Sequence, residues 1–234
     1  MLKLLKYEII ESYRQYLLTF VVFLMLCAIT PLVPVFISNI LSILVAIAFT
    51  GIFIAIFLNV IISFNRSMYK RPGYLTLTLP VRTENLIGAK LIGSLIWVVI
   101  STLVLLIGIM ILVMATGEVS LLEVIELTRN SFTYIVDHLG NIVMEFVNAM
   151  IAMATIILSF YLVITFTKTK FVPKYKTVSG IALYFIGWIL IANLLMKLPI
   201  ASDDMLVSIA LCIVLSVIFY IATVYLINHQ IEVE

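Results

Sequence analysis

The 234-residue sequence is 64% hydrophobic and 11% charged, and its mean hydropathy is +1.27. Soluble domains are about half apolar and a quarter charged, so this composition excludes an ordinary soluble protein. The net charge of +2 is too small to indicate a nucleic-acid partner. We therefore predict a protein embedded in the lipid bilayer.

Six apolar stretches reach or approach the roughly 17–25 residues that a helix needs to cross a bilayer. They cover residues 17–37, 41–64, 91–114, 142–166, 180–196 and 205–227. The runs are unbroken rather than alternating, which favours helices over strands. The sequence thus predicts an all-α polytopic membrane protein with six transmembrane helices, forming a single domain over residues 1–234.

The basic residues predict an orientation for these spans. If the amino end is cytoplasmic, 12 of the 14 lysine and arginine residues lie on the cytoplasmic side. Only Arg129 and Lys197 then lie outside. Cytoplasmic segments of membrane proteins are enriched in Lys and Arg, so both termini are predicted to be cytoplasmic.

Residues 1–16 precede the first span and have an amphipathic pattern. Apolar or aromatic residues recur there at spacings of three and four: Leu2, Leu5, Ile9, Tyr13 and Tyr16. This pattern predicts a helix lying in the membrane interface. The alternative is that the segment simply extends the first span. Further along that span, Pro31 and Pro34 predict a kink in its outer half.

The predicted extracellular segment, residues 115–141, contains a similar pattern. Apolar residues recur at helical spacing between residues 121 and 139, which predicts a second amphipathic helix on the outer surface. Gly140 is a plausible stop for that helix. Its acidic residues are expected to face water.

The segment between the second and third spans, residues 65–90, is the longest cytoplasmic loop. Pro72 and Gly73 break any helix that continues from the second span, and Pro80 prevents a helix through the residues before it. Thr83 is a reasonable cap for a helix leading into the third span. The pattern predicts a short ordered unit rather than a plain connection.

Few polar residues occur within the predicted spans. The uncharged ones are Asn59, Asn148, Thr155, Ser159, Thr165 and Asn193. Such side chains usually form hydrogen bonds between membrane helices, and lining a substrate path is the alternative role for each of them. Glu145, near the start of the fourth span, is expected to lie at an interface, with a role in gating or substrate contact as its alternative.

The sequence lacks the motifs of a catalytic or nucleotide-binding site. It has no Walker A pattern, and its two histidines, His138 and His229, are predicted on opposite sides of the membrane. The two cysteines, Cys27 and Cys212, lie in apolar runs and are expected to be packing residues. We predict no enzyme activity, no metal site and no cofactor in this chain.

One segment resembles a known family. The run from Arg71 to Val81, with Gly73-Tyr74-Leu75-Thr76-Leu77-Thr78-Leu79-Pro80 at its centre, is followed by Ala89-Lys90-Leu91. It resembles permease subunits of bacterial ATP-binding-cassette exporters, most of all the short six-span type of Gram-positive bacteria. The amphipathic start, the six spans and the lysine-rich second inner loop fit the same plan. Lys70, Arg71 and Pro72 replace small or acidic residues expected in the family.

The resemblance implies a function for the chain in the bacterial cytoplasmic membrane. Residues 65–90 would form the coupling loop, in which Tyr69 and Gly73 to Pro80 contact a separate cytoplasmic ATPase subunit or shape the loop. ATP and Mg²⁺ would be bound by that partner, and two permease chains would pair as a homodimer or heterodimer. The expected cargo is amphipathic or hydrophobic: a peptide, a peptide antibiotic or a lipid. The alternatives are a non-transporting scaffold or immunity protein and an ion-coupled secondary transporter.

Overall fold

The computed structural model describes residues 2–30, 35–69, 82–115, 126, 129, 133, 134, 136–169, 176–197 and 205–230. Within these ranges the long helices are α1 (Leu2–Ile29), α2 (Val35–Tyr69), α3 (Thr83–Ala115), α4 (Leu139–Thr167), α5 (Lys176–Lys197) and α6 (Met205–Gln230). No strand occurs in the described ranges, which agrees with the predicted all-α class.

Five of the described helices contain apolar stretches long enough to cross a bilayer. These stretches are Ser12–Ile29, Ile43–Tyr69, Thr83–Met114, Leu139–Thr167 and Leu206–His229, and α5 contributes a shorter one, Val178–Asn193. Large apolar side chains on the helices are exposed, among them Leu18, Leu190 and Ile221, at 66%, 64% and 61%. Exposed apolar surface of this extent is stable in lipid and not in water, so the fold is that of a helical membrane protein.

The first helix is continuous from Leu2 to Ile29. Its 28 residues correspond to a length of about 42 Å, longer than the roughly 30 Å hydrocarbon core of a bilayer. No break separates the predicted interfacial segment from the first span. The alternative interpretation, an extension of that span, matches the continuous helix.

The boundary between the first two helices differs from the prediction. We expected the first span to continue through residue 37, but α1 ends at Ile29 and Val35 already belongs to α2. Pro31 and Pro34 account for the earlier boundary, because a proline lacks an N–H donor and its ring collides with the preceding turn. Pro31 and Pro34, and with them the predicted kink, lie outside the described residues.

The predicted stop at Gly140 is wrong. Gly140 lies inside α4, whose first residue is Leu139. The Ile142 amide donates to the carbonyl of His138 at 3.1 Å, so helical bonding begins before the glycine. Before this point the described residues Glu126, Arg129, Thr133, Tyr134, Val136 and Asp137 have helical backbone and are exposed. The outer amphipathic helix as a whole remains a prediction.

Two compact units can be distinguished by their internal contacts. We call them the α1 unit (Lys6–Asn59 and Ile96–Met144) and the α4 unit (Met1–Leu5, Val60–Leu95 and Glu145–Glu234). Helices α2 and α3 contribute residues to both. Each unit has buried side chains of its own.

The α1 unit is packed around aromatic side chains. One face of α1 presents residues at spacings of three and four to α2 and α3: Tyr16, Phe20, Phe23 and Cys27. The Tyr16 and Trp97 rings stack with centroids 4.3 Å apart and planes 7° apart. Cys27 is fully buried and unbonded to another cysteine, as expected for a packing residue.

We predict that Gly108→Ala destabilises the α1 unit. A Cβ at Gly108 would overlap the ring of Phe23, a side chain that is only 1% exposed. Overpacking of this kind costs about 1–3 kcal/mol. Unfolding of the purified chain in mixed micelles measures the effect. The matched control is Gly51→Ala in α2, where no atom lies within 4 Å of the added methyl. Equal stability of the two variants would contradict the packing interpretation.

The buried part of the α4 unit combines apolar and hydroxyl side chains. The Phe64 and Tyr161 rings stack with centroids 4.0 Å apart and planes 11° apart. The hydroxyl groups of Tyr161 and Ser94 are 2.9 Å apart, so α2, α3 and α4 meet at Tyr161. Thr155 on α4 donates to the Cys212 carbonyl of α6 at 3.1 Å. This bond confirms the interhelical role predicted for Thr155.

Candidate functional site

The end of α2 is fixed to the end of α4. The Tyr69 hydroxyl donates to Oγ1 of Thr165 at 2.9 Å, and Thr165 is completely buried. The Lys168 ammonium lies 6.0 Å from the centre of the Tyr69 ring, at the outer limit of a cation–π contact. Thr165 thus has the interhelical role predicted for it, and Tyr69 is tied to α4 through both its hydroxyl and its ring.

The start of α3 is fixed to α6 in a comparable way. The Thr83 hydroxyl donates to Oδ1 of Asn228 at 2.8 Å, and the Tyr220 hydroxyl donates to the Glu84 carbonyl at 2.8 Å. Thr83 was predicted to cap α3, but the Arg82 carbonyl accepts the first helical bonds, from Asn85 and Leu86. The cap position is therefore one residue earlier, and the Thr83 side chain serves α6 instead.

These contacts bracket residues 70–81, which connect α2 to α3 along the chain. The segment leaves α2 directly after Tyr69 and enters α3 directly before Arg82 and Thr83. The contact of Tyr69 is with α4, and the contact of Thr83 is with α6. The predicted contact residues Gly73, Tyr74, Leu75, Thr76, Leu77, Thr78, Leu79 and Pro80 lie outside the described residues. Of the predicted coupling positions, the structure describes Tyr69.

The predicted path residues do not form a cluster within the α4 unit. Glu145 is exposed near the start of α4, and Asn148 follows one turn later, half-buried. The Asn193 amide donates to the Ile189 carbonyl of its own helix at 2.8 Å. Asn59 belongs to the α1 unit and is half-buried. The role of these four side chains in a path remains a prediction.

Of these four residues, Asn148 has a buried polar atom that forms no hydrogen bond with a described residue. This atom is the oxygen of its side-chain amide. A buried polar atom without a partner is costly, so such an atom is expected to meet water, a ligand or another chain. This observation distinguishes Asn148 from Asn193.

Two cavities that the sequence did not predict lie between α4 and α5. They have volumes of about 230 and 380 Å³ and share Val163 and Tyr184 in their walls. The Tyr184 ring stacks on Phe160 with centroids 4.5 Å apart. Phe219 of α6 also lines the smaller cavity, and Ile61 and Asn65 of α2 also line the larger one.

The walls of the two cavities differ in polarity. Those of the smaller one are almost entirely apolar and aromatic: Leu162, Val163, Phe166, Leu183, Tyr184, Gly187, Trp188, Ile191 and Phe219, with Ser159 as the exception. The larger one adds Asn65, Thr167 and Lys168 to its apolar walls. The aromatic residues Tyr184, Phe185 and Trp188 on α5 are the feature of the sequence that could have indicated these cavities. The smaller cavity suits an apolar group, and the larger suits an amphiphile.

Metal-binding clusters were also sought among the described residues. No group of three His, Cys, Asp or Glu side chains in these ranges could hold a metal ion. The prediction that the chain has no metal or cofactor of its own remains a prediction.

Comparison with protein-family models, with curated proteins and with solved structures gave no match for this chain.

Proposed function

We propose that the chain is the permease subunit of an ATP-driven exporter in the bacterial cytoplasmic membrane. A separate cytoplasmic ATPase subunit would dock on residues 70–81, and a second permease chain would complete the translocation path. The observation that carries the proposal is the bracketing of this segment by Tyr69 and Thr83. A sequence that resembles an exporter coupling loop stands where two helices are each bonded to another helix.

The bracketing suggests how movement of a partner would reach the membrane. A force on residues 70–81 pulls on the last turn of α2 and the first turn of α3. The Tyr69–Thr165 bond passes it to α4, and the Thr83–Asn228 bond passes it to α6. Packed helices shift as rigid elements, so a small displacement at the loop becomes a displacement of two further helices.

The proposal includes six membrane spans, of which α5 is added to the five helices with long apolar stretches. Its 22 residues correspond to about 33 Å, enough for the roughly 30 Å hydrocarbon core. Lys176 and Lys197 stand at its two ends, and the residues between them carry no charge. An even number of spans returns the carboxyl end to the side of the amino end, which the distribution of basic residues places in the cytoplasm.

The proposed cargo is an amphipathic or hydrophobic molecule, with a membrane-active peptide as the first choice. The apolar cavity walls and the small number of charged side chains on the helices favour such a cargo. A panel of membrane-active peptides should include members that stimulate the ATPase activity of the purified complex. A complex whose ATPase rate is unaffected by every peptide would contradict this choice of cargo.

Purification from the native membrane tests the function directly. The chain, tagged at its carboxyl end and extracted with mild detergent, should carry with it a nucleotide-binding ATPase in stoichiometric amount. A chain that purifies alone with residues 65–90 intact would contradict the proposal. It would favour the scaffold or immunity protein, or the secondary transporter. Transport that survives ATP depletion and stops when the ion gradient collapses would select the secondary transporter.

We predict that Tyr69→Phe weakens the attachment of α2 to α4 without unfolding the chain. The substitution removes the hydroxyl that donates to Thr165 and keeps the ring. The expected loss of stability is about 1 kcal/mol, as for other hydrogen bonds between membrane helices. Transport per ATP hydrolysed should fall. Both quantities can be measured on the reconstituted complex.

The matched control for this variant is Tyr225→Phe on α6. The Tyr225 side chain is 55% exposed, so the loss of its hydroxyl should change neither stability nor transport. Equal behaviour of the two variants would show that the Tyr69 hydroxyl does not couple α2 to α4.

A further inference from the structure

The larger of the two cavities combines a positive charge, uncharged polar side chains and apolar walls. Its polar wall consists of Asn65, Thr167 and Lys168. Ile181 and Phe185 of α5 form part of its apolar wall. A volume of about 380 Å³ is within the range of small-molecule sites. The cavity can therefore accept one amphiphilic molecule.

Lys168 lies where phospholipid headgroups lie. The apolar stretch of α4 ends at Thr167, so Lys168 is the first residue beyond the membrane-spanning part of that helix. Basic pockets between membrane helices at this level bind anionic headgroups. The charge therefore selects a phosphate group without a compensating positive charge.

Asn65 adds a polar side chain to the same wall. A side-chain amide can both donate and accept hydrogen bonds. A headgroup that carries both a phosphate and hydroxyl groups matches this wall, because its phosphate accepts from Lys168 and a hydroxyl bonds to the Asn65 side chain.

The surface beside the cavity is suited to acyl chains. Val178, Ile181 and Phe185 on α5 are 66%, 58% and 61% exposed. In a membrane protein this face contacts lipid tails. Lys168 and Asn65 thus lie beside a row of exposed apolar side chains on α5.

We propose that this cavity binds one anionic phospholipid with a hydroxyl-bearing headgroup, such as phosphatidylglycerol. The phosphate contacts Lys168, the headgroup hydroxyl contacts Asn65, and the acyl chains follow Ile181 and Phe185. The lipid is a resident ligand of the α4 unit and not the exported cargo. The inference goes beyond the proposed function and does not depend on it, because binding requires neither an ATPase partner nor nucleotide.

Native mass spectrometry of the purified full chain tests the proposal. The chain is titrated with dioleoylphosphatidylglycerol and, separately, with dioleoylphosphatidylcholine in the same detergent. We expect tighter binding of one phosphatidylglycerol molecule. Lys168→Gln should reduce this affinity about fivefold, the effect of one basic residue near a headgroup. The matched control is Arg66→Gln, which removes an exposed charge near the end of α2 outside the cavity wall.

A second variant tests the row of apolar side chains on α5. Ile181→Trp places a large ring at an exposed position, where the fold tolerates it, and should abolish binding by occupying the cavity. Equal affinity for the two lipids in the unmodified chain would overturn the proposal, as would equal losses in Lys168→Gln and Arg66→Gln. Displacement of the lipid by millimolar inorganic phosphate would show that the site takes a free anion instead. A chain that binds the lipid but purifies without an ATPase would preserve this inference and refute the proposed function.

Discussion

Replacing Gly73 by proline, or Pro80 by glycine, is expected to abolish transport while ATP hydrolysis continues. Both substitutions fall in the segment that resembles an exporter coupling loop. Proline fixes the backbone at position 73 and removes its N–H group, whereas glycine at position 80 removes a restraint on the chain. Either change should alter the conformation of the segment. Movement of a partner bound to it should then no longer displace α2 and α3.

The measurement is made on the complex reconstituted in vesicles, with ATP hydrolysis and cargo transport followed in the same preparation. Gly51→Ala serves as the control, because its added methyl meets no atom within 4 Å. Unchanged transport in both loop variants would count heavily against the coupling role. Loss of the ATPase from the purified complex would still locate the docking site in this segment, since the helices themselves are unaltered.

The helices were predictable because lipid leaves a strong signal in the sequence. A helix that crosses a bilayer needs about 20 consecutive apolar residues, and few other structures need such a run. Five of the six predicted spans therefore correspond to long apolar helices in the described residues. The remaining predicted span corresponds to α5, which contains a shorter apolar stretch. The proposal that α5 crosses the membrane is therefore based on its helix length and on the lysines at its two ends.

The ends of the helices were less predictable, because several local signals compete there. We expected the first span to reach residue 37, but α1 ends at Ile29, shortly before Pro31 and Pro34. Gly140 was interpreted as a stop, yet glycine is tolerated within a helix when the surrounding residues favour it. At Thr83 a side chain suited to capping forms a bond to Asn228 instead. Each error reflects a tertiary contact or neighbouring residue that outweighs a local preference.

The contacts that define the candidate site could not be predicted from spacing. Tyr69 and Thr165 are separated by 96 positions, and Thr83 and Asn228 by 145. The sequence did indicate that hydroxyl side chains within α4 would bond between helices, and Thr155 and Thr165 do so. It could not indicate their partners, since those depend on which helices are neighbours. The cavities beside Tyr184 were missed for the same reason.

The contacts of Tyr69 and Thr83 lie at the ends of helices, whereas the contacts of Tyr161 lie further along α2, α3 and α4. Phe64 of α2 and Ser94 of α3 both contact Tyr161 of α4. Transmission of a force from residues 70–81 to the membrane helices would therefore depend on the contacts of Tyr161 as well as on those of Tyr69 and Thr83. Loss of the Tyr161 contacts should affect stability more than loss of either of the other two.

Tyr161→Ala is expected to destabilise the chain by about 3–5 kcal/mol, the cost of truncating a buried aromatic side chain. Tyr161 is 1% exposed, and its ring is stacked on Phe64, so truncation leaves a cavity at the junction of three helices. Tyr161→Phe retains the ring and loses the bond to Ser94, for which we expect about 1 kcal/mol. Unfolding in mixed micelles of increasing denaturing detergent measures both.

Tyr225→Ala is the matched control, because that tyrosine is 55% exposed on α6 and its truncation leaves no internal cavity. Stability of Tyr161→Ala equal to that of the control would contradict the role of Tyr161 in holding α2, α3 and α4 together. If Tyr161→Phe retains transport while Tyr161→Ala loses it, packing of the ring carries the connection. If both lose transport, the Tyr161 hydroxyl, which bonds to Ser94, is required too, because both variants lack it.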